Sequence, residues 1–571
     1  MKTSQKTKKI ITSALPYVNN QPHLGNIIGC VLSGDIYSRF CKKNNENSLY
    51  ICGTDEYGTA IEMAAFAQNK TPLEICEENR LIHKKIYDWF NIEFDHFGHT
   101  TSNEHTKNVQ HFFDKIYKNG FFTEQEIEQF FCEKCKIFLA DRYVFGTCKY
   151  CKFPDAKGDQ CDGCGHTYKS LDLIDAKCTL CKSTPNIKET RHLFFDFSNF
   201  KDQLEDLYNR NSQYWSDNGK HITKSWLDQE LLPRCMTRDL KNKWGVPVPL
   251  EGFEKKVFYV WFDAVIGYFT FLKECVEKRN LNEKIKNFSI SEKKHQNYNT
   301  NSTYEDWLKD GEIIQFMGKD NVFFHTIVFP SLIFATKLDY PVIKKLSVTE
   351  FLLFENEKFS KSRGHGIFGL DLINNDLGSS CLWRYYLSKI RPEKCDSNFS
   401  FEHFANVIDA DLNNNIGNFC NRVLKFIKNK NKKIIKIDNL NTKDEEFIQE
   451  IDKLYKKYLQ NFKNIKIRDA LEKILEISKL GNEYVQVAVN DKENRRHGFQ
   501  VAFSVVVLLG QILEPFVPVS SEKLLKMCNV KKEVFREEFG IIKEGEIGDE
   551  IVPLFNKLDE AILEKLKNFK K

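Results

Sequence analysis

Long apolar runs are missing from this chain of 571 residues. No stretch of eighteen apolar residues occurs, which argues against a membrane-spanning helix. A secretory leader is missing too: the start, Met1-Lys2-Thr3-Ser4-Gln5-Lys6-Thr7-Lys8-Lys9, is basic, but neither an apolar core nor a cleavage site follows it. A short organellar presequence is disfavoured because motif-bearing sequence begins so close to Met1. Strong charge is absent, since a net +5 permits an anionic partner without demanding one. No internal repeat is visible, which sets aside a repeat array. Proline and glycine are sparse from about Phe401 onward, and no Trp follows Trp383.

What is present fits an ordinary soluble globular chain, 41% hydrophobic and 29% charged. Its length exceeds one core and suggests roughly three or four structural units. The 18 cysteines are too many for chance, yet the chain is neither small nor visibly secreted. Eight of them form four Cys-x-x-Cys pairs, Cys132/Cys135, Cys148/Cys151, Cys161/Cys164 and Cys178/Cys181. The pattern reads as reduced cytosol plus metal.

Two-residue gaps let both thiolates of a pair bind one tetrahedral ion, and two pairs complete a closed site of four. Eight ligands therefore predict two structural zinc ions. Adjacent pairing and nested pairing are both possible; only nine residues separate Cys151 from Cys161, which favours nesting, with the two middle pairs forming one knuckle.

The cysteine block interrupts a parallel α/β pattern. The β-branched run Ile10-Ile11-Thr12-Ser13-Ala14-Leu15 reads as a buried strand. A loop between Pro16 and Pro22 follows, and helical spacing begins just after His23. A second strand, Leu49-Tyr50-Ile51-Cys52, ends in Gly53-Thr54-Asp55-Glu56-Tyr57-Gly58 before another helix. Ligands of such sheets gather at the carboxyl ends of the strands, where both loops lie. After the block, the sheet is expected to resume with Val257-Phe258-Tyr259-Val260-Trp261-Phe262-Asp263-Ala264. Glu277 to Thr303 reads as a polar surface excursion, and the strand Glu312–Met317 delivers Gly318-Lys319-Asp320. From about Phe401 to the end, almost everything has helical period. The lysine run of residues 425–436 reads as a solvated helix end.

His23 stands at a loop-to-helix junction, where free backbone N–H groups and the helix dipole attract phosphate. Its imidazole can donate a hydrogen bond to an oxygen gaining charge during attack at phosphorus, and Gly25 lets a nucleotide approach the backbone. Lys358 and Lys361 bracket a serine-containing loop, Lys358-Phe359-Ser360-Lys361-Ser362, and two ammonium groups there suit the clamping of a departing pyrophosphate. Each segment is a weak signal alone; their order around a metal-held insertion makes them informative.

Taken together, Ala14-Leu15-Pro16-Tyr17, His23-Leu24-Gly25-Asn26, Gly53-Thr54-Asp55-Glu56, Tyr259–Ala264, Gly318-Lys319-Asp320 and Lys358–Ser362 resemble a class I aminoacyl-tRNA synthetase. Within that class the chain is similar to the methionyl-tRNA synthetases of archaeal and eukaryotic style, with two zinc knuckles. The resemblance implies a Rossmann-like parallel-sheet catalytic domain with a zinc-binding connective insertion, then an α-helical anticodon-binding bundle. The divisions expected are 1–105 and 256–345 for the two catalytic halves, 106–255 for the insertion with knuckles at 132–181, 346–404 for the stem-contact region, and 405–571 for the bundle. It also implies methionine activation with Mg-ATP and transfer to the terminal adenosine of methionine tRNA.

By the same resemblance, Leu15, Tyr17, Asp55, Trp261, Ala264, Tyr268, His325 and Phe329 form or border a methionine pocket, with Asp55 holding the ammonium group. A polarizable thioether suits aromatic walls. His23, Gly25, Asn26, Gly318, Asp320, Lys358 and Lys361 are implied for ATP; His23, Lys319, Lys358 and Lys361 are implied as catalytic, Lys361 being the main transition-state cation. Asn414, Asn418 and Arg422 recur at four-residue steps, hence on one helix face, and resemble the anticodon-reading helix.

Three positions depart from the family pattern. Phe359 stands where Met is usual, Val265 where Pro is usual, and Asp491 where a Trp commonly stacks on the anticodon; Tyr484 is a candidate replacement. Synthetases for branched aliphatic residues normally carry a larger editing insertion, and a cysteine enzyme would place zinc in the amino-acid site. A silent RNA-binding paralogue would have no use for His23, Asp55, Lys358 and Lys361. A monomer in the cytoplasm, without a membrane partner, is expected.

Overall fold

The computed structural model describes residues 7–158, 161, 163–164, 168–286, 302–359, 364–430, 432–434, 440–490, 495–558 and 560–568. Its centre is a sheet of five strands: β1 (Lys8–Ser13), β2 (Asn47–Thr54), β3 (His96–His99), β4 (Gly311–Gly318) and β5 (Ile343–Thr349), in the order β5-β4-β1-β2-β3. Every pairing in it is parallel. Both faces are covered, so the strands read as buried runs rather than alternating ones. The chain leaves β1 towards β2 and β3, then returns to β4 on the other side of β1. Between β1 and β4 the winding reverses, which is where such sheets open a crevice for ligands.

The loop after β1 enters a continuous helical stretch, Leu24–Asn26, a π-helical Ile27–Val31, and Leu32–Lys43. Across the opposite part of the sheet lies the 27-residue helix Val260–Lys286. It packs so closely that a Cβ at Gly53 would meet Phe271 at 2.5 Å, and one at Gly98 would meet it at 2.4 Å. Glycine is needed at both. This corrects the expectation that the sheet resumes at Val257: only Val257–Phe258 is extended, pairing with Thr237–Arg238, and the helix starts at Val260. A short, largely apolar run does not distinguish strand from helix by its period.

The insertion leaves the sheet on a long antiparallel ribbon, Phe122–Cys132 against Asn186–Phe195. Its far end carries the cysteines and a small three-stranded sheet built from Val144–Thr147, Ala156–Lys157 and Ile174–Cys178. Leu139, Tyr143, Val144 and Ala176 make a minor core there, with Cys132, Cys148, Cys161 and Cys178 buried in it.

Helices Asn418–Lys428, Thr442–Lys463, Ile467–Asn490, Arg495–Ile512 and Pro518–Met527 form the second large body. Phe40 of the helix Leu32–Lys43 stacks on Phe462 of the bundle at 4.4 Å. Beside this contact is a buried charge cluster. Arg39 bonds Asp35 at 3.0 Å and Glu514 at 3.1 Å, and Arg384 reaches Asp35 at 2.7 Å. Arg384 also donates to the carbonyls of Phe90, Pro515 and Phe516. Removing one member would strand a buried charge, which typically costs about 3–5 kcal/mol. The cluster therefore fixes the bundle against the sheet.

The tail is less helical than its composition suggests. After Met527 the chain is mostly extended or looped until the helix Glu560–Asn568. Gly540, Gly545, Gly548 and Pro553 explain this, since they disfavour a helix interior.

Candidate active site and cysteine tetrads

His23 caps the helix that follows β1. The N–H groups of Gly25 and Asn26 donate to its Nδ1 at 3.1 and 3.4 Å, and the His23 N–H donates in return to Asn26 Oδ1 at 3.2 Å. The ring lies flat on Phe359 with centroids 4.5 Å apart. Burial pushes its pKa down to about 4. A neutral ring that accepts at Nδ1 carries its proton at Nε2, so His23 presents a hydrogen-bond donor. Phe359, at the Met-to-Phe departure, thus supplies the surface on which that ring rests.

Gly318, Lys319 and Asp320 follow β4 across the crevice. A Cβ on Gly318 would meet open space, as expected where a ligand approaches the backbone. Lys319 bonds Glu350 at 2.6 Å and Asp396 at 3.2 Å; burial lowers its pKa, but these carboxylates outweigh that and hold it above the ordinary value. Lys319 and Lys358 both lie over the Phe351 ring, at 4.0 and 4.6 Å. Burial raises the Asp320 carboxyl, while Lys319 and Lys358 act in the opposite direction. Lys361, with Ser360 and Ser362, lies outside the described residues.

The amino-acid side of the site is built from the ends of β1 and β2 and from two helices. Tyr17 and Asp55 form a parallel bridge, and burial followed by the Asp55 charge raises the Tyr17 phenol. Asp55 is buried, and its Oδ1 has no hydrogen-bond partner among the described residues. Tyr268 donates to His325 Nε2 at 2.7 Å, while His325 Nδ1 meets the Asn321 carbonyl at 2.8 Å. A carbonyl can only accept, so Nδ1 holds the proton and the two bonds lock the ring. Burial drives the His325 pKa down to about 4. Trp261 stacks on Phe324 at 3.5 Å, Phe329 meets Tyr268 edge-on at 5.8 Å, and Ala264 is buried on the same helix. Leu15 approaches that helix at Gly267, whose Cβ would lie 3.3 Å from it. His325 sits in a π-helical segment, Phe324–Val328. Like Ile27–Val31, it is a local widening of a helix beside a candidate site, a frequent association.

Four contributors were not singled out from sequence. Asp263 is buried beside the pocket, and His105 Nε2 lies 3.4 Å from it. Trp244 Nε1 donates to the Glu56 carbonyl at 2.6 Å and holds the Asp55-Glu56 turn from outside. Glu62 accepts from Tyr143 of the insertion at 2.7 Å and from the Asn242 N–H at 2.8 Å, linking the insertion to the helix Thr59–Gln68 that follows this turn. A carboxylate inside the aromatic run around Trp261 was the visible signal for Asp263, since such residues are seldom buried without a purpose. The other contacts join residues distant in sequence.

The cysteines gather into two tetrads, Cys132/Cys135/Cys178/Cys181 and Cys148/Cys151/Cys161/Cys164, with all ligand atoms in each within 4.8 Å of one another. The pairing is nested, as the nine-residue gap favoured. Sulfur separations include 3.4 Å (Cys132–Cys181), 4.0 Å (Cys135–Cys178), 3.9 Å (Cys148–Cys164) and 3.5 Å (Cys151–Cys161). A tetrahedral ion with Zn–S bonds of about 2.3 Å needs sulfurs about 3.8 Å apart, so the donor sets fit. Hydrogen bonds from Ser183 lower the Cys181 thiol to about 6, and the Cys151 N–H leads in lowering Cys148 to about 7.

On the bundle, Asn414 lies on a π-helical segment, Ile408–Gly417, and bonds Asp409 at 2.9 Å. Asn418 bonds Asn482 at 3.3 Å, and Arg422 bonds Gln486 at 3.0 Å. The last two contacts run in register with the neighbouring helix, which sequence alone did not reveal. Tyr484 is committed elsewhere: it stacks on Phe447 at 4.0 Å and donates to Asp444 at 2.5 Å, so it does not stand in for a stacking Trp. Asp491 lies outside the described residues.

Residues 9–424 match the family described as tRNA synthetases class I (M), and residues 436–568 match the anticodon binding domain of methionyl tRNA ligase. The chain is 76% identical over 571 residues to a probable cytoplasmic methionine–tRNA ligase of Vairimorpha ceranae, covering 100% of both chains. It is 53% identical to the Encephalitozoon cuniculi protein of the same description, over 98% of each. The solved Mycobacterium tuberculosis methionyl-tRNA synthetase in complex with methionyl-adenylate shares the fold, with a TM-score of 0.75 at 19% identity, covering 96% of this chain and 99% of that one. With its crevice, its paired tetrads and both family matches in one sequence, the chain belongs to the methionine-type class I tRNA synthetases.

Proposed function

We propose that the protein activates L-methionine with Mg-ATP to methionyl-adenylate and transfers the methionyl group to the 3′-terminal adenosine of methionine tRNA, releasing pyrophosphate and AMP. The observation that carries this reading is the buried Asp55 Oδ1, without a hydrogen-bond partner among the described residues, at a pocket walled by Tyr17, Trp261, Tyr268, His325 and Phe329, in a chain of this family. Asp55 takes the ammonium group, and the aromatic walls take the thioether, whose sulfur gains from ring contacts beyond simple burial. Leu15 and Ala264 border the pocket.

ATP lies across the crevice. Its phosphates lie over the loop-to-helix junction beside Gly25 and Asn26, whose N–H groups His23 Nδ1 already holds, and Gly318 and Asp320 receive the nucleoside side. The methionine carboxylate attacks the α-phosphorus. The His23 Nε2–H bonds an oxygen that gains charge, while Lys319, Lys358 and Lys361 neutralise the departing pyrophosphate. Neither step needs a covalent enzyme intermediate, so placement and charge stabilisation carry the rate. The neutral state of His23 suits a donor rather than an acid.

Two zinc ions, each held by four thiolates, are structural, because a closed tetrad leaves no position for substrate. They hold an insertion with little core of its own. Asn414, Asn418 and Arg422 turn from their present partners to anticodon base edges. The divisions 1–105, 106–255, 256–345, 346–404 and 405–571 carry these tasks in a monomer, and the setting is the cytoplasm, the word that the relatives' names carry. No helix among the described residues is long and apolar enough to cross a membrane.

Charging of methionine tRNA tests the whole reaction: methionyl-tRNA and AMP should form together. If the chain forms adenylate yet never charges this tRNA, the transfer half of the reading fails.

A further inference from the structure

Asp55 is not the sole buried acid at the amino-acid site. Asp263 is 0% exposed, Asp55 2%, and each has one carboxylate oxygen without a hydrogen-bond partner among the described residues. Two elements bring them together. Asp55 follows the last residue of β2 and begins the turn Asp55-Glu56-Tyr57-Gly58, while Asp263 occupies the first turn of the helix Val260–Lys286. The turn and the helix start touch, since a Cβ on Gly58 would lie 3.6 Å from Val260. Asp263 is the charge that acts most strongly on Asp55, and both carboxyls are held well above the usual carboxylate range, first by burial.

Among the described residues, no lysine or arginine pairs with either carboxylate. Tyr17, Tyr57 and Tyr268 face the pair as phenols whose pKa burial raises. His105 bonds Thr270 at 3.1 Å and Asp263 at 3.4 Å, but burial drives its pKa down to about 3, so it stays neutral. Glu56, the next acid along, is paired with Arg80 at 3.4 Å and faces His99 at 3.8 Å. Two carboxylates buried together without a cation cannot both ionise at low cost; one keeps a proton. The helix N-terminus favours charge on Asp263, so one anion and one acid coexist.

An ammonium group reverses this balance, because it brings a positive charge and three N–H donors to two oxygens that lack partners. We propose that Asp263 is a second ligand of the methionine ammonium group, and that the Asp55–Asp263 pair holds one proton which methionine displaces to solvent on binding. The inference rests on the reading of Asp55 as the ammonium ligand. It adds a residue to that contact and makes substrate capture a proton exchange: the acid loses H⁺, the ammonium keeps its three, and the pair ends doubly anionic around one cation.

Calorimetric titration of the full chain with L-methionine, in phosphate and in Tris at one pH near neutrality, reads the proton directly. The difference in apparent enthalpy should correspond to about one proton released per methionine. L-methioninol, which keeps the ammonium and lacks the carboxylate, should release the same proton. Asp263→Asn should bind methionine at least tenfold more weakly and release none. Should that variant fold poorly, the wild-type Kd still decides: it should fall by up to tenfold per pH unit while the pair retains its proton. Methionine binding with no buffer dependence and a flat Kd overturns the inference and leaves the functional reading intact. Undiminished release in Asp263→Asn overturns the role of Asp263. No methionine binding at all would instead refute the functional reading on which the inference rests.

Discussion

His23→Asn separates two tasks that one side chain performs. In the structure His23 Nδ1 accepts from the Gly25 and Asn26 N–H groups at 3.1 and 3.4 Å, which leaves Nε2–H to donate to substrate. Asparagine is among the best capping residues, so its side-chain oxygen can replace Nδ1 at the cap. It cannot reach where Nε2 points. Loss of one donor aimed at developing charge typically costs a factor of about 10²–10³, or about 2.7–4 kcal/mol. His23→Ala loses the cap as well, a further cost of about 1 kcal/mol in local stability. Both variants give up the ring stacked on Phe359. Methionine-dependent pyrophosphate exchange should therefore fall by about 10²–10³ in both, with little change in the KM for methionine. Amide exchange at Gly25 and Asn26 should accelerate in the alanine variant and stay near wild type in the asparagine one. Because burial holds His23 near a pKa of about 4, the wild-type rate should show no inflection near 6.5 from this group. An asparagine variant with wild-type exchange would refute the donor role, and an inflection lost with His23 would refute the neutral state.

The cysteine tetrads predict two equivalents of zinc by elemental analysis, and Cys164→Ser should reduce the content to about one, since it breaks one closed set of four. Tyr268→Phe removes the donor that meets His325 at 2.7 Å and leaves a buried acceptor bare. That costs about 1–3 kcal/mol, so the methionine KM should rise about 5–150-fold with the ATP KM unmoved; an unchanged methionine KM counts against this pocket wall. His325 itself should titrate near 4 by NMR in labelled protein, because its ring is buried and locked neutral, and a midpoint near 6.5 would show an open pocket. Arg422→Ala should raise the tRNA KM tenfold or more, about 1.4 kcal/mol, without slowing adenylate formation in the remote crevice. Equal charging of a tRNA with a swapped anticodon would remove this helix from recognition.

Much of the architecture was legible because local chemistry marks it. The β-branched run before Leu15, the turn residues around Pro16 and Pro22, and the strand ending at Gly318 each announce their element within a few residues. The cysteine spacing announced two tetrads, and one short gap announced their nesting. What stayed hidden depends on approach between distant segments. The Asp263–His105 contact, the Trp244 brace on Glu56 and the Tyr143–Glu62 link join residues that no periodicity relates. The π-helical segments at Ile27–Val31, Phe324–Val328 and Ile408–Gly417 were also hidden, since widening a helix shifts its period over too few residues to read. The run Val257–Ala264 misled for another reason: short and largely apolar, it has too few polar positions to tell helix from strand. Tyr484 looked available in sequence and is consumed by Phe447 and Asp444 in the fold.

The central claim is that this crevice activates methionine. Pyrophosphate exchange into ATP, run without tRNA across the twenty standard amino acids, tests it most directly. The account predicts fast exchange with L-methionine alone, falling by two orders of magnitude or more in Lys361→Ala, on the scale of about 3 kcal/mol of lost charge stabilisation. Exchange that depends on a different amino acid, or on none, would contradict it.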